Sequence, residues 1–230
     1  MKVLQLKDIY KSFDDKKIIN GVSFDVNEGE IVGLLGKNGS GKTTILKMIN
    51  DLLTVDKGEI LINGKKIGVE TKANVSYLPE RTYLDRSKTV FEIFNFFEDF
   101  YADFDRNKAE KLLQELNLDV NQKLSKMSKG MKEKVQLVLV MSRKAKLYVL
   151  DEPLGGVDPS TRDYILKTIL SNFEDGASML ITTHLVSDVE KILDRVIFID
   201  EGKIILDDNA EKLREENGIS INEIFRREVK

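Results

Sequence analysis

The 230-residue sequence contains no cysteine, a single histidine and no long hydrophobic run. Without cysteine the chain cannot form disulfides, use a thiol nucleophile or bind zinc through thiolates, and this fits a reducing compartment. No stretch of about 18 apolar residues occurs, so the sequence predicts no membrane-spanning helix. The opening residues MKVLQLKDIYKSF lack the apolar core of about 7–15 residues that a secretory signal needs, so we expect no such signal.

The chain also lacks an excess of positive charge. Its formal net charge is −3, with 36 basic and 39 acidic residues. Proteins that neutralise a polynucleotide backbone usually carry a clear basic excess, so no nucleic-acid partner is expected. Hydrophobic residues make up 41% of the chain, which is enough for the core of one large α/β domain.

Strand and helix patterns alternate over much of the sequence. Ile31–Leu35, Leu147–Leu150 and Val196–Ile199 are short, wholly apolar runs, as expected for strands covered on both faces. Short connections and intervening helical patterns predict a mainly parallel sheet with helices on both sides. Residues 89–141 look helical instead, with aromatic residues recurring at spacings of three and four on one predicted, mostly core-facing helix face: Phe91, Phe94, Phe97 and Tyr101. Within this segment, periodicity alone cannot assign the run 135–141 to a strand or a helix.

The most specific motif is GKNGSGKTT at residues 36–44, which satisfies the P-loop pattern G-x-x-x-x-G-K-[ST]. Glycines let such a loop curl so that backbone N–H groups point at phosphate oxygens, and the following helix adds the positive end of its dipole. A glycine-rich turn with an exposed lysine is the simpler alternative, but the position between an apolar strand and a helix disfavours it. Lys42 would reach the β- and γ-phosphates, and the Thr43 hydroxyl would ligate Mg²⁺. The predicted nucleotide contacts are Gly36, Lys37, Asn38, Gly39, Ser40, Gly41, Lys42, Thr43 and Thr44.

A second motif places two carboxylates at the end of the apolar run 147–150. An acid at the carboxyl end of a parallel strand lies beside the P-loop crevice, so Asp151 can hold Mg²⁺ directly or through water. Glu152 is placed to polarise an attacking water as a general base. An acidic pair after a strand is common on protein surfaces, but together with the P-loop it predicts hydrolysis of a nucleoside triphosphate.

The order of these motifs resembles that of the ATP-binding subunits of ABC transporters, over about residues 1–208. The resemblance implies an α/β fold with a P-loop NTPase (RecA-like) core, a mostly parallel sheet, an N-terminal antiparallel β-subdomain and an inserted α-helical subdomain. It implies one ABC ATPase domain over residues 1–230, with the helical subdomain at about 86–145 and a short helical tail at about 209–230. It also implies hydrolysis of ATP to ADP and phosphate with Mg²⁺, and it favours a helix for 135–141.

In this family a serine–glycine signature opens a helix and binds the γ-phosphate of ATP held by the opposite subunit. The matching segment is MSKGM at residues 127–131, so the implied ligands are Ser128 and Gly130. The family usually has glycine where Lys129 stands and glutamine where Met131 stands. In isolation the five residues also fit a lysine-rich loop before a helix, but the surrounding motifs favour the signature.

Two positions in the second half of the chain match further family elements. His184 ends the segment MLITTH and would hydrogen-bond the γ-phosphate and orient Glu152 with the attacking water. A lone histidine after an apolar strand is more often structural, so this role depends on the resemblance. Asp158 matches a loop that communicates across the dimer, in which Gly155 replaces the usual serine.

Two positions in the first half are less specific. Glu80 occupies the place of a glutamine that senses Mg²⁺ and the transporter; its carboxylate could ligate the ion and would add negative charge near the phosphates. Phe13 matches the aromatic residue that stacks on adenine, and ordinary packing at a strand end explains it equally well.

The resemblance finally implies partners and location. Two copies, or this chain and a related subunit, would close head to tail around two ATP molecules and energise separate transmembrane permease subunits. The chain would then be cytoplasmic and peripheral on the inner face of the membrane, in an exporter resembling the antimicrobial-peptide and bacitracin type. Tyr83 and Leu84 are the candidates for exposed docking residues.

Three other functions remain open at this point. A soluble ABC-type ATPase acting on ribosomes or DNA usually joins two cassettes or carries long insertions, which this chain lacks. A P-loop kinase or GTPase is disfavoured by the signature-like segment, Glu152 and His184. A nucleotide-gated binding module with weak hydrolysis is kept open by Lys129 and Glu80.

Overall fold

The protein is described here from a computed structural model that covers residues 1–174 and 176–229, with the backbone alone at position 160. In chain order its strands and helices are β1 Lys2–Phe13, β2 Lys16–Asn27, β3 Ile31–Leu35, α1 Lys42–Ile49, β4 Lys57–Ile62, β5 Lys65–Lys66, α2 Val69–Lys72, β6 Val75–Leu78, α3 Val90–Phe100, α4 Arg106–Glu115, α5 Lys129–Met141, β7 Leu147–Asp151, α6 Pro159–Ser171, β8 Ser178–Thr183, α7 Val186–Val189, β9 Arg195–Asp200, β10 Lys203–Asn209, α8 Ala210–Asn217 and α9 Ile221–Glu228.

Two sheets organise these elements. The N-terminal sheet has the antiparallel order β2-β1-β4-β5. The larger sheet has the order β10-β9-β3-β8-β7-β6, in which β9, β3, β8, β7 and β6 run parallel and β10 pairs antiparallel at one edge. The predicted α/β P-loop fold, with its mostly parallel sheet and separate antiparallel sheet, is confirmed.

The parallel sheet determines where the motifs meet. Strand β3 leads into the P-loop, β7 ends at Asp151, and β8 ends just before His184. Because β8 lies between β3 and β7 and all three run in the same direction, their carboxyl ends open onto one crevice. Strands β7 and β8 are buried at every position, which explains their continuous apolar or small-residue sequences.

Helices α3, α4 and α5 lie between β6 and β7 in sequence. Thr89, Asp105 and Ser128 accept backbone hydrogen bonds as their N-caps. The ambiguous run 135–141 is helical and all seven of its residues are buried. Its β-branched residues therefore reflect burial, because α5 packs against α3, α4 and strand β6.

One expectation about the middle segment is wrong. Leu84, proposed as an exposed docking residue, is buried in the same core cluster as Phe94 and Phe97. A leucine gains more from joining this core than from meeting solvent. Most of the aromatic face is core-facing as expected, and its exception is Phe91, which is 46% exposed and lies under the Arg106 guanidinium, 5.0 Å from the ring centroid.

The C-terminal tail belongs to the folded core. Phe225 of α9 packs edge-on against Phe198 of β9, with 5.3 Å between the ring centroids. Asn209 and Ser220 cap helices α8 and α9, and Gly218 ends α8 in the left-handed conformation. Among the described helices none has both the length and the apolar content needed to cross a bilayer.

Candidate nucleotide site

The P-loop between β3 and α1 packs closely on neighbouring backbone. A Cβ atom at Gly36 would lie 2.5 Å from the Ile199 carbonyl oxygen, so only glycine fits there. Gly41 has φ +109°, and a Cβ there would lie 2.5 Å from Ile19 Cδ1. Around these fixed points Ser40 is buried, while the loop residues at positions 37–39 are exposed. The two glycines thus fix the path of the loop backbone, and residues 37–39 remain accessible from the solvent side.

Lys42 is buried at the start of α1. Its Nζ donates to the carbonyl oxygens of Gly36 at 2.6 Å and Lys37 at 3.1 Å, and it lies 3.4 Å from Glu152 Oε1. Burial lowers the pKa of the Lys42 ammonium, and the nearby Glu152 carboxylate opposes that shift. A cation held over the loop in this way is suited to meeting the negative charge of phosphates.

Asp151 lies at the floor of the site and is only 1% exposed. Its Oδ1 accepts hydrogen bonds from Thr182 Oγ1 at 2.8 Å and from Thr43 Oγ1 at 3.2 Å. Its Oδ2 is buried with no hydrogen-bond partner among the described residues. Burial raises the pKa of Asp151, and the Glu80 and Glu152 carboxylates add to that rise.

This oxygen pair fits a hard divalent cation. Thr43 and Asp151 offer a hydroxyl and a carboxylate side by side, and the free Oδ2 needs a positive partner. Mg²⁺ prefers such oxygen ligands and is usually held by one or two carboxylates plus phosphates and water. The third predicted metal ligand, Glu80, is exposed two residues after β6 and lines the cleft above this pair.

Glu152 stands between two other predicted residues. Its Oε2 lies 3.0 Å from His184 Nδ1 and accepts the His184 backbone N–H at 3.3 Å. An ionised carboxylate only accepts hydrogen bonds, so this contact assigns a proton to Nδ1. Glu152 itself has φ +48°, an uncommon conformation for a non-glycine residue. The Glu152 N–H donates to the Thr182 carbonyl at 3.0 Å, which fixes that backbone.

One open cleft of about 1200 Å³ collects most of the predicted residues. Its walls include Phe13, the P-loop from Asn38 to Thr44, Glu80, Glu152 and His184. Phe13 closes β1 and is 46% exposed, so its ring is open to stacking and is not a core residue. The structure therefore brings the adenine, phosphate and water-activating candidates to a single cleft.

The two implied phosphate ligands of the signature, Ser128 and Gly130, do not line this cleft. Ser128 caps α5 by accepting the Met131 N–H at 3.2 Å, and a Cβ at Gly130 would meet nothing within 4 Å. Lys129, between them, does line the cleft. Its Nζ lies 3.1 Å from the point that a Cβ atom on Gly156 would occupy. Asp158 caps α6 by accepting the Thr161 N–H at 3.1 Å.

Sequence reasoning missed two residues that shape the site. Thr182 holds both Asp151 and the Glu152 backbone, and Gln136 lies on α5 near the two acids. In the sequence, Thr182 could have been noticed because Thr182 and Thr183 form a polar pair at the end of an otherwise apolar strand. The signal for Gln136 was a lone amide inside VQLVLVM.

A P-loop, a strand-end acidic pair and a histidine on the neighbouring strand, gathered at one cleft, define a P-loop nucleoside triphosphatase. The ABC transporter family model matches residues 19–155. A solved structure described as the ATP binding subunit of an ABC transporter superimposes with a TM-score of 0.88 at 28% identity, covering 99% of this chain and 100% of that one.

Two curated bacterial proteins are similar over most of the chain. The linearmycin resistance ATP-binding protein LnrL of Bacillus subtilis is 33% identical over 211 residues, 88% of this chain and 68% of that protein. The lipopolysaccharide export system ATP-binding protein LptB of Haemophilus influenzae is 32% identical over 224 residues, 93% of both chains. The chain therefore belongs to the ABC transporter family as an ATP-binding subunit, and it is an ATPase.

Proposed function

We propose that this chain powers an exporter by closing, as one of a pair of ATP-binding subunits, around ATP. The site assignment depends on one observation: the two carboxylate oxygens of Glu152 contact Lys42 and His184 at the edge of the cleft. A soluble ATPase for ribosomes or DNA and a binding module without catalysis are less well supported, because the complete set of catalytic candidates stands in one place.

Each cleft residue has a task in this proposal. The P-loop backbone and Lys42 bind the phosphates, and Phe13 stacks on the base. Thr43 and Asp151, with Glu80 above them, hold Mg²⁺, which when bound neutralises charge on the phosphate oxygens. Glu152 takes the proton of the attacking water, and His184 keeps its carboxylate in place and contacts the γ-phosphate.

The need for a second subunit follows from what lies outside the cleft. Ser128 and Gly130 stand at the open N-terminal end of α5, with free space around Gly130. Such a helix end attracts phosphate, yet Ser128 and Gly130 do not line the cleft that holds the P-loop, although Lys129 between them does. We assign it, together with Asp158, to the ATP bound by a second ATP-binding subunit, either another copy or a related chain.

The export assignment comes from the relatives. LnrL is named for linearmycin resistance and LptB for lipopolysaccharide export. We propose an exporter on this basis, with separate transmembrane permease subunits providing the path and this chain bound at the cytoplasmic face of the membrane.

A groove of about 520 Å³ is the proposed permease dock. Tyr83, which is 59% exposed, lies in its wall with Phe97 and Tyr101. The charged side chains lining it are all cationic: Lys47, Lys72, Arg81 and Arg143. Lys72 and Arg143 pair with Asp51 and Asp103, whereas Lys47 and Arg81 form no ion pair within the described part of the chain. A permease segment with an apolar face and an acidic residue would complement this groove.

ATP turnover tests the site assignment. Lys42→Ala should abolish hydrolysis by weakening phosphate binding, and Glu152→Gln should lower kcat by on the order of 10³-fold while nucleotide still binds. Steady-state phosphate release and fluorescent-nucleotide titration separate the two effects. Near-normal turnover in Glu152→Gln would reject Glu152 as the base.

Co-purification tests the dock. Lys47→Glu and Tyr83→Ala should reduce recovery of the co-expressed permease subunit, because each removes groove complementarity. Lys203→Glu, an equal charge reversal on the exposed edge strand β10, is the matched control and should leave recovery unchanged. If all three variants recover as much permease as the wild type does, the permease binds elsewhere.

A further inference from the structure

A second, much smaller cavity of about 30 Å³ lies between helix α5 and the ends of strands β6 and β7. It adjoins both acids of the candidate active site. Its polar lining includes Glu80, Glu133, Gln136, Asp151 and Glu152. None of the roles assigned above uses this space or the residue from α5 that enters it.

Gln136 is the unexplained group. It is 3% exposed within a run that is otherwise apolar. Its Nε2 donates to the Pro79 carbonyl at 2.9 Å, directly before Glu80. Its Oε1 is fully buried and has no hydrogen-bond partner among the described residues. Leaving a buried amide oxygen unpaired is costly, so this oxygen needs a donor.

The cavity can supply that donor. Its volume exceeds the roughly 10–15 Å³ that a cavity needs to admit a water molecule, and a buried water needs two to four polar partners. Asp151 Oδ2 and Glu152 Oε1, on the two acids that also line the cavity, are likewise buried and accept no hydrogen bond within the described part of the chain, although Lys42 Nζ lies 3.4 Å from Glu152 Oε1. All three atoms are acceptors, and a water donates two hydrogen bonds.

We propose that this cavity holds one structural water and that Gln136 is a positioning residue for ATP hydrolysis. The amide N–H of Gln136 fixes Pro79 and hence the backbone leading to Glu80. The Gln136 carbonyl accepts from the water, and the water donates its other hydrogen to Glu152 Oε1. Once Lys42 has turned to the phosphates of ATP, that oxygen keeps a second lone pair for the attacking water, while Oε2 contacts His184. The inference rests on the proposed role of Glu152 as general base.

Gln136→Met and Gln136→Leu test the proposal, since both remove the amide and differ in shape. Each should lower kcat on the order of tenfold, because the base loses its fixed position, with the KM for ATP changed less than about twofold. Rates are expressed per ATP-binding protein from nucleotide titration, so any misfolded fraction does not count. Ser142→Ala is the matched control. The Ser142 hydroxyl is also buried and has no hydrogen-bond partner within the described part of the chain, but it does not line the cavity. The kcat of this variant should equal that of the wild type.

A high-resolution crystal structure gives the second reading. Density for one water between Gln136 and Glu152 in the wild type, absent in Gln136→Met, supports the proposal. Wild-type kcat in both apolar variants, or a wild-type cavity without water, overturns it. Glu152→Gln is run in the same assay: turnover there would overturn the general-base assignment itself, whereas an inactive Glu152→Gln beside a normal Gln136→Met overturns only the inference about Gln136.

Discussion

Two charged residues at the nucleotide site have pKa values that are shifted in opposite directions. Burial raises the pKa of Asp151 and lowers that of Lys42, so each group is pushed toward its neutral form. Glu152 partly offsets the shift on Lys42 and adds to the shift on Asp151. In the protein without ligands these buried charges therefore lower the folding stability, but they are available to bind phosphate and a cation, as is common at functional sites.

Asp151→Asn should separate stability from function. Replacing the buried carboxylate by a neutral amide should stabilise the nucleotide-free protein by roughly 1 kcal/mol, because the unpaired Oδ2 charge is removed. It should also abolish Mg²⁺-dependent hydrolysis. Thermal unfolding and ATPase assays on the same preparation check both expectations.

The stability gain should depend on pH in a defined direction. The folded protein holds the Asp151 proton more tightly than the unfolded chain, so the wild type loses stability as pH rises through the raised pKa. The advantage of Asp151→Asn should therefore be small in acid and grow toward neutral pH. A gain that shrinks as pH rises would mean that the carboxylate is better stabilised in the folded protein than in water.

Among individual site residues, those that lie in contiguous sequence motifs could be predicted from the sequence. Lys42, Asp151 and His184 were found because each follows an apolar strand that points at the same crevice. Thr182 and Gln136 were missed because their partners are distant in sequence: Thr182 contacts Asp151 across 31 positions and Gln136 contacts Pro79 across 57. Only the folded sheet brings such pairs together.

Among the secondary-structure elements, the end of α5 is tied down by one buried cation. Arg143 is 3% exposed and donates to the Val75 and Ala73 carbonyls, both at 2.7 Å. It makes two further hydrogen bonds to Asp103 and lies 3.9 Å from the Tyr101 ring centroid. One side chain thus links the helical segment to the start of β6 beside the proposed permease dock.

Arg143→Met should consequently destabilise the fold. It leaves one buried carbonyl, one partly buried carbonyl and a partly buried carboxylate without their donor, which costs on the order of 3 kcal/mol. Urea unfolding measures the loss. Lys111→Met removes an exposed pair with Glu115 on α4 and should change stability by less than about 0.5 kcal/mol. Equal losses in the two variants would show that Arg143 is no more than a surface charge.

Helical periodicity predicted the elements of the middle segment better than their surroundings. Phe94 and Phe97 are buried as expected and Phe91 is the exposed member of their face, whereas Leu84 is buried against the prediction. Periodicity identifies a face of a helix, whereas burial depends on which neighbour covers each turn. That neighbour, Arg106 over Phe91, comes from another helix and is not visible in local spacing.

For the whole molecule, strand–helix alternation was enough to predict the parallel sheet and the crevice at its carboxyl edge. It did not predict how α5 lies relative to that crevice. In the structure the P-loop, Glu80, Glu152 and His184 share the cleft while Ser128 and Gly130 do not line it. This division within one chain is the structural basis for proposing that a second subunit completes each ATP site.

The central claim is that ATP joins two such subunits, and the Glu152→Gln variant tests it most directly because it should bind ATP without consuming it. Light scattering with Mg²⁺ and ATP should give twice the 26.2 kDa mass of one chain, falling back to a single chain with ADP. Adding Lys42→Ala to the variant should prevent the change. If Glu152→Gln binds ATP, as shown by nucleotide titration, and still scatters as a single chain, closure of two copies around ATP is contradicted.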